Sequence, residues 1–416
     1  MTLEQCLALA LQQNPDILKA QEELRRTFGV IVEARAEALP KVQATGYITR
    51  IDDDFIDTFP GAPVVANNQK NPWEVGVEVS QLVYSGGRVN AALRAARISE
   101  EIAKRQFQRA AADTVLNVRT AFYRIQLAQA QVNVREQSIK LLEQQLKDVQ
   151  HRFEAGTVPR FNVLRAEVEL ANARPPLIRA QNDLRLGREQ LVRLLAIDEQ
   201  PRTEFTPIRF QGALQYEPRK VEMADAIRQA LERRPELKLV EQQAALRHED
   251  IAAARSGYHP ELSLFAGYGV RNTRFGEQID DAFHGWTVGA RASWNIFDGM
   301  LTRGKIKQAE AELGRAEIEQ DDTRRAIELE VRQAYSDYVQ ALELLEAQKK
   351  TVEQAEESLR LADARFKAGS GTQLDVLSAQ TALTEARSNE VVALHDYNVA
   401  LAKLERATGA TVRQDP

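Results

Sequence analysis

Apolar residues recur every seven positions along two long stretches of the chain. Val118, Ile125, Val132, Ile139, Leu146 and Phe153 keep that interval without a miss, flanked by Val115, Phe122, Leu142 and Val149. Val331, Tyr338, Leu345, Val352, Leu359 and Phe366 keep it again further on. A heptad held over so many turns predicts coiled-coil helices packed through an apolar seam. A helix over 88–153 would be about 100 Å long at 1.5 Å per residue, too long for a compact globule. Elsewhere the period drops to two. Trp73, Val75, Val77, Val79 and Val83 alternate with Glu74, Gly76, Glu78 and Ser80, and Trp286, Val288, Ala290, Ala292, Trp294 and Ile296 alternate with Thr287, Gly289, Arg291, Ser293 and Asn295. These predict strands at about 73–84 and 286–297, with weaker partners at about 42–54 and 261–273.

The two patterns belong to one unit written twice. RFEAGTVPRFNVLRAEVELANAR (152–174) aligns without gaps to RFKAGSGTQLDVLSAQTALTEAR (365–387), with 10 of 23 positions identical. The same shift of 213 pairs NVRTAFYRI (117–125) with EVRQAYSDY (330–338) and GVEVSQLVYSGG (76–87) with GARASWNIFDGM (289–300). Further upstream the shift is 220 and pairs Pro15 with Pro235 and Pro40 with Pro260, so the first half carries seven extra residues between about 47 and 75. Such self-similarity defines the architecture before any single motif does. The expected division is a first repeat over 1–200, a linker over 201–217, a second repeat over 218–410 and a tail over 411–416. Each repeat would hold two short helices, two strands, a long helix (88–153, 301–366), a tight turn and a return helix (160–195, 373–408). Pro15 and Pro235 open helices and Pro40 and Pro260 stop them, because proline fits a helix start but not its interior. Pro175-Pro176 falls inside the first return helix, where the second has Ser388 and Asn389, and predicts a kink there.

About ten residues is the length of a tilted membrane strand, and Trp73, Trp286 and Trp294 are expected near strand ends, where interfacial aromatics sit. The same alternation fits a small half-buried sheet in a soluble protein. Four strands cannot close a barrel, and an open edge in lipid leaves backbone groups unpaired. A membrane reading therefore needs several chains, and three would supply about twelve strands, an even number within the known range. The polar loops at 52–72 and 274–285 would then face outside.

Composition narrows the alternatives. The 416 residues are 44% hydrophobic, with 55 basic and 60 acidic side chains scattered along the chain for a net charge of -5. No basic block calls for nucleic acid. A lone Cys6 forms no intrachain disulfide and is expected to be a buried helix residue, and five dispersed histidines share no ligand spacing, so neither metal nor cofactor is expected. No stretch reaches the roughly 20 apolar residues of a spanning helix. No secretory leader precedes Met1, so the chain reads either as soluble or as mature and meeting the membrane through strands. Phosphate loops and nucleophile–base pairs are also missing from the sequence, which argues against an enzyme.

The strand-to-helix junctions LVYSGGR (82–88) and NIFDGM (295–300), the turns RFEAGT and RFKAGS, the LDVL after the second turn, LERATG (404–409) and the opening TLEQCLALALQQNP resemble the outer membrane efflux protein family over nearly the whole chain. The resemblance implies a mainly α protomer with a small β part. Three protomers would form an α-barrel and a 12-stranded membrane β-barrel, as a homotrimer in outer-membrane lipid of a Gram-negative bacterium, with a long periplasmic extension. Its implied function is a passive exit duct for a tripartite efflux pump or type I secretion system, with a periplasmic adaptor and an inner-membrane transporter as partners. A soluble coiled-coil scaffold is the alternative.

By the same resemblance, Ala155, Gly156, Thr157, Ala368, Gly369 and Ser370 form the adaptor-docking tip. As helix stops, the two glycines also need no such role. A pore constriction is expected around Asp375, Ser378, Asn162 and Phe366. Asp375 matches the family's first inward acid, whereas Ser378 and Asn162 stand where acids can occur and Gly371 where a basic partner can. Three Asp375 carboxylates around an axis would favour cations. An acid one turn into a helix is also what the helix dipole favours.

Overall fold

The computed structural model describes residues 1–50, 52, 72–197, 205, 208–217, 219–272 and 282–410. Two runs of elements repeat in the same order. The first is α1 (Leu3–Gln13), α2 (Pro15–Ala36), β1 (Lys41–Ile48), β2 (Trp73–Ser85), α3 (Arg88–Glu154) and α4 (Arg160–Leu194). The second is α5 (Met223–Arg233), α6 (Pro235–Arg255), β3 (Glu261–Asn272), β4 (Phe283–Ser293), α7 (Leu301–Lys367) and α8 (Gln373–Ala407). The duplication extends to length, since α3 and α7 both have 67 residues and α4 and α8 both have 35. By contacts the chain divides across these repeats into two compact units. One comprises Met1–Glu22, Arg105–Lys238 and Asp321–Pro416, and the other Glu23–Lys104 and Leu239–Gln320.

In the first unit the heptad seams form the core. Val118, Phe122, Ile125 and Val132 of α3 pack with Cys6 and Ala10 of α1 and with Leu184 and Leu191 of α4. Cys6 is fully buried, and that burial pushes its thiol pKa up. On α7 the buried seam is Val331, Tyr338 and Leu345. Both seams loosen towards the turns, where Ile139, Leu146, Val352 and Leu359 are half-buried and Phe153 is exposed. A segment over 208–217 is strapped down by polar contacts. The Tyr397 hydroxyl donates to the Glu217 carbonyl at 2.5 Å, and Asn398 Nδ2 donates to the Gln215 carbonyl at 3.0 Å.

Pro175 and Pro176 do not end α4, which continues to Leu194. They remove two donors, so the carbonyls of Ala171 and Asn172 lose their helical partners. Both residues are exposed, so water can satisfy them.

In the second unit the four strands form one antiparallel sheet in the order β1-β2-β3-β4. Its register carries the apolar positions across all four strands, as in the row Val42–Val79–Ala266–Val288 and the row Ala44–Val77–Tyr268–Trp286. Directly paired residues share a face, so one face is apolar from edge to edge. The other holds Glu74, Glu78, Arg271, Arg291 and a series of glycines. Among the described residues β1 and β4 each have one strand partner, leaving both sheet edges open.

Some expected strand limits shift. β1 ends at Ile48, and residues 51, 53 and 54 of the expected first strand and 273 of the third lie outside the described residues, as do 53–71 and 274–281 of the two polar loops, residues 201–204, 206 and 207 of the linker and the tail 411–416. β4 begins at Phe283 and stops at Ser293, short of the expected 297. The chain must turn there into α7. Gly299 and Met300 take positive φ values of 66° and 71°, and the Asp298 carboxylate accepts from the Thr302 amide at 2.7 Å. Trp294 therefore lies beyond the strand, its indole N–H donating to the Tyr258 carbonyl at 3.1 Å. Trp286 lies inside β4 opposite Tyr268 rather than at its end, whereas Trp73 opens β2.

Candidate functional site

The sharp turns α3–α4 and α7–α8 are built alike. At the first, Gly156 adopts φ +73°, its amide donates to the Phe153 carbonyl at 2.9 Å and the Thr157 amide to the Arg152 carbonyl at 2.9 Å. At the second, Gly369 adopts φ +75°, donating to Phe366 at 3.1 Å, while Ser370 donates to Arg365 at 2.9 Å. This pair of bonds is the Schellman closure, which absorbs the last carbonyls of a helix and needs a left-handed residue. Both turns are exposed, including Ala155, Thr157, Ala368 and Ser370. Gly369→Val is expected to lower stability by about 1–2 kcal/mol through left-handed strain. Chemical unfolding would register that loss, because a Cβ at 369 meets no atom within 4 Å and packing cannot offset it.

The two return helices start differently. Thr372 caps α8 in a reciprocal box, accepting from the Asp375 amide at 3.2 Å while its own amide donates to Asp375 Oδ2 at 2.9 Å. These bonds, chiefly the Thr372 amide and hydroxyl with help from the Arg365 charge, hold the Asp375 carboxyl below its usual range. Pro159 caps α4 with no side-chain bond, and Asn162 occupies the place of Asp375. The Asn162 carbonyl instead accepts from Gln373 Nε2 at 3.2 Å, tying the starts of α4 and α8 together. Asp375 and Ser378 share an exposed face of α8. Phe366 is half-buried beneath the Arg152 guanidinium, 4.6 Å from its ring centre, a cation–π contact that joins the ends of α7 and α3. The expected constriction residues thus fall at one end of the helices, with Asp375 and Ser378 on one face and Phe366 turned to another contact.

Two clusters carried no legible motif. Arg234 and Arg406 are 4% and 5% exposed, and both pair with Glu236; Arg406 also pairs with Asp113 and Arg234 with Glu330. The aligned first-repeat residue to Arg234 is Asn14, a neutral amide that donates to the Leu194 carbonyl at 2.9 Å. The second cluster comprises the amides Gln145 and Gln380. Only the departure from the repeat marks either in the sequence.

Comparison with known proteins agrees with this architecture. The family model described as outer membrane efflux protein matches residues 6–196 and 226–410. The outer membrane protein TolC of Escherichia coli is 24% identical, the match spanning 99% of this chain and 83% of that protein. Protein CyaE of Bordetella pertussis is 24% identical over 100% of this chain and 86% of its own length. Among solved structures, the outer membrane protein VceC from Vibrio cholerae superposes with a TM-score of 0.79 at 18% identity, covering 98% of this chain and 96% of that one. The open-state MtrE outer membrane channel of Neisseria gonorrhoeae gives a TM-score of 0.78 at 19% identity, covering 98% and 88%. The chain belongs to the outer membrane efflux protein family. It is an outer-membrane efflux channel protein of a Gram-negative bacterium with a periplasmic helical extension, and not an enzyme.

Proposed function

We propose that three copies of this chain close a twelve-stranded barrel in outer-membrane lipid. Each copy would contribute one duplicated unit from each half, with residues 201–217 linking the halves. The observation that carries the reading is the sheet, which has one continuous apolar face and two unpaired edges. Lipid tolerates that face but not those edges, and strand pairing between copies removes the edges. A soluble coiled-coil scaffold leaves the apolar face without a purpose. Trp73, Trp286 and Trp294 would meet the membrane interface. The turns at Ala155–Thr157 and Ala368–Ser370 would receive a periplasmic adaptor that couples the duct to an inner-membrane transporter, for efflux or type I secretion.

Asp375 would line the constriction, with Ser378 one turn above it and Asn162 in the equivalent place on α4. The cap supports this role, because its hydrogen bonds hold the carboxyl below its usual range and so oppose the upward shift that three like charges near one axis impose on one another, and a ring of carboxylates attracts cations. Purified full-length chain in planar bilayers is expected to conduct with a preference for cations, and Asp375→Asn to move the permeability ratio towards unity. No conductance at all would overturn the duct. Conductance with unchanged selectivity in the variant would leave Asp375 as a helix cap alone.

A further inference from the structure

The sheet carries the repeat in its strand pairing as well as in its sequence. β1 sets Lys41 opposite Ser80 and Val42 opposite Val79. Moving the first of each pair by 220 and the second by 213 gives Glu261 opposite Ser293 and Leu262 opposite Ala292, which is the register of β3 on β4. The entries to the long helices follow the same shift, since Gly86 and Gly87 have positive φ and so do Gly299 and Met300. Even a side-chain bond is repeated: Gln81 Nε2 donates to the Ala38 carbonyl at 2.9 Å, and Trp294 Nε1 to the Tyr258 carbonyl at 3.1 Å.

One contact has no counterpart. β2 of the first repeat pairs with β3 of the second, but among the described residues β4 has no copy of β1 on its other edge. That gap explains why the equivalent strands end differently. β2 runs past Ser80, its last residue opposite β1, because β3 places Leu264 opposite Gln81 and Glu261 opposite Ser85. β4 stops at Ser293, opposite the first residue of β3, and the residues after it have no strand beside them among the described residues. The indole bond of Trp294 does not forbid a partner, since Gln81 makes the equivalent bond while paired to Leu264.

A head-to-tail contact between equivalent units repeats until the ring closes. We propose that β4 pairs with β1 of a second copy of this chain in the register of β2 on β3, which sets Ser293 opposite Thr45, Trp294 opposite Ala44, Asn295 opposite Gln43 and Asp298 opposite Lys41 of that copy. This pairing rests on the trimeric barrel proposed above, and it adds which residues meet and that 294–298 complete β4 only on assembly. The irregularity between Leu82 and Tyr84 moves with the register to Ile296. Side-chain chemistry agrees with a register derived from spacing alone. Trp294 meets an alanine of the apolar face, polar residues meet polar ones, and Asp298 meets a lysine. A slip of one residue would set Trp294 against Gln43 or Thr45 and exchange the two faces.

The test uses paired cysteines. Thr45 and Ser293 lie on the two outer strands of the sheet, at least about 14 Å apart across three strand spacings. A disulfide spans no more than about 7 Å between Cα atoms, so a link at these positions joins different copies. Thr45→Cys/Ser293→Cys, oxidised in outer membranes with copper phenanthroline, is expected to run on a denaturing, non-reducing gel mostly as a three-chain band that dithiothreitol returns to monomer. The unaltered chain, whose Cys6 is buried, is the blank. Gln43→Cys/Ser293→Cys and Tyr47→Cys/Ser293→Cys, each two residues out of register, are expected to stay monomeric. If the first variant does not fold, Gln43→Cys/Asn295→Cys carries the same expectation. Stronger linking in a shifted pair would overturn the register, as would no link in either matched pair while the unaltered, unheated chain runs as an oligomer; both leave the trimer standing. An unaltered chain that is monomeric in the membrane would remove the trimer and the register with it.

Discussion

Val288→Arg is expected to prevent the chain from entering the outer membrane, and Thr287→Arg, one residue away, to leave it assembled. Val288 is 67% exposed and lies in the row Val42–Val79–Ala266–Val288 of the apolar face. Thr287 projects to the other side, beside Gly267 and in the row of Glu78. An arginine on the lipid side of a barrel near mid-membrane costs about 2–4 kcal/mol. Three copies multiply that to roughly 6–12 kcal/mol per trimer, comparable to the whole stability of a domain. Membrane fractionation and gel migration without heating check it. The expected outcome is an oligomeric band in the membrane fraction for Thr287→Arg and none for Val288→Arg. If both variants assemble, the apolar face does not meet lipid.

The second large effect is expected at Glu236. Its carboxylate lies between Arg234 and Arg406, both nearly sealed from solvent. Burial pushes its pKa up, but hydrogen bonds from the two guanidinium groups and their charges outweigh that and hold it at about 2 instead of 4.5. Because the folded value is the lower one, the stabilisation is complete above about pH 4.5 and is lost as pH falls through about 2. The shift corresponds to roughly 3 kcal/mol. Glu236→Gln is expected to destabilise the protein by about 3 kcal/mol, towards the low end for a broken buried pair, because Arg406 keeps Asp113 and Arg234 keeps Glu330. Denaturant unfolding of the two proteins at pH 7 and pH 3 is the check. The gap between them should be full at pH 7 and narrower at pH 3. An equal gap at both values would mean that Glu236 is not the titrating member of the network.

Much of the architecture could be read before any coordinates. Long helices follow from heptads because burial of one seam outweighs local preference over so many turns. The glycines at 156 and 369 announced the turns because few other residues accept a positive φ. The end of β4 was misread because Trp294 and Ile296 continue the alternation past Ser293, and alternation does not reveal that Asp298 and Gly299 are already turning the chain into α7. The proline pair was a different case. Losing two donors on an exposed stretch is a local cost, and α4 absorbs it without ending.

The sequence alone determined the duplication, the helix and strand order and the positions of the two helix turns, since each is written in spacing along the chain. Tertiary structure decided what spacing cannot encode. It aligned the apolar positions of four strands from two distant segments into one face, and it brought Glu236 together with Arg406, 170 residues away. The physical reason is common to both: burial and pairing depend on which side chains meet after folding, and those partners are far apart in the chain.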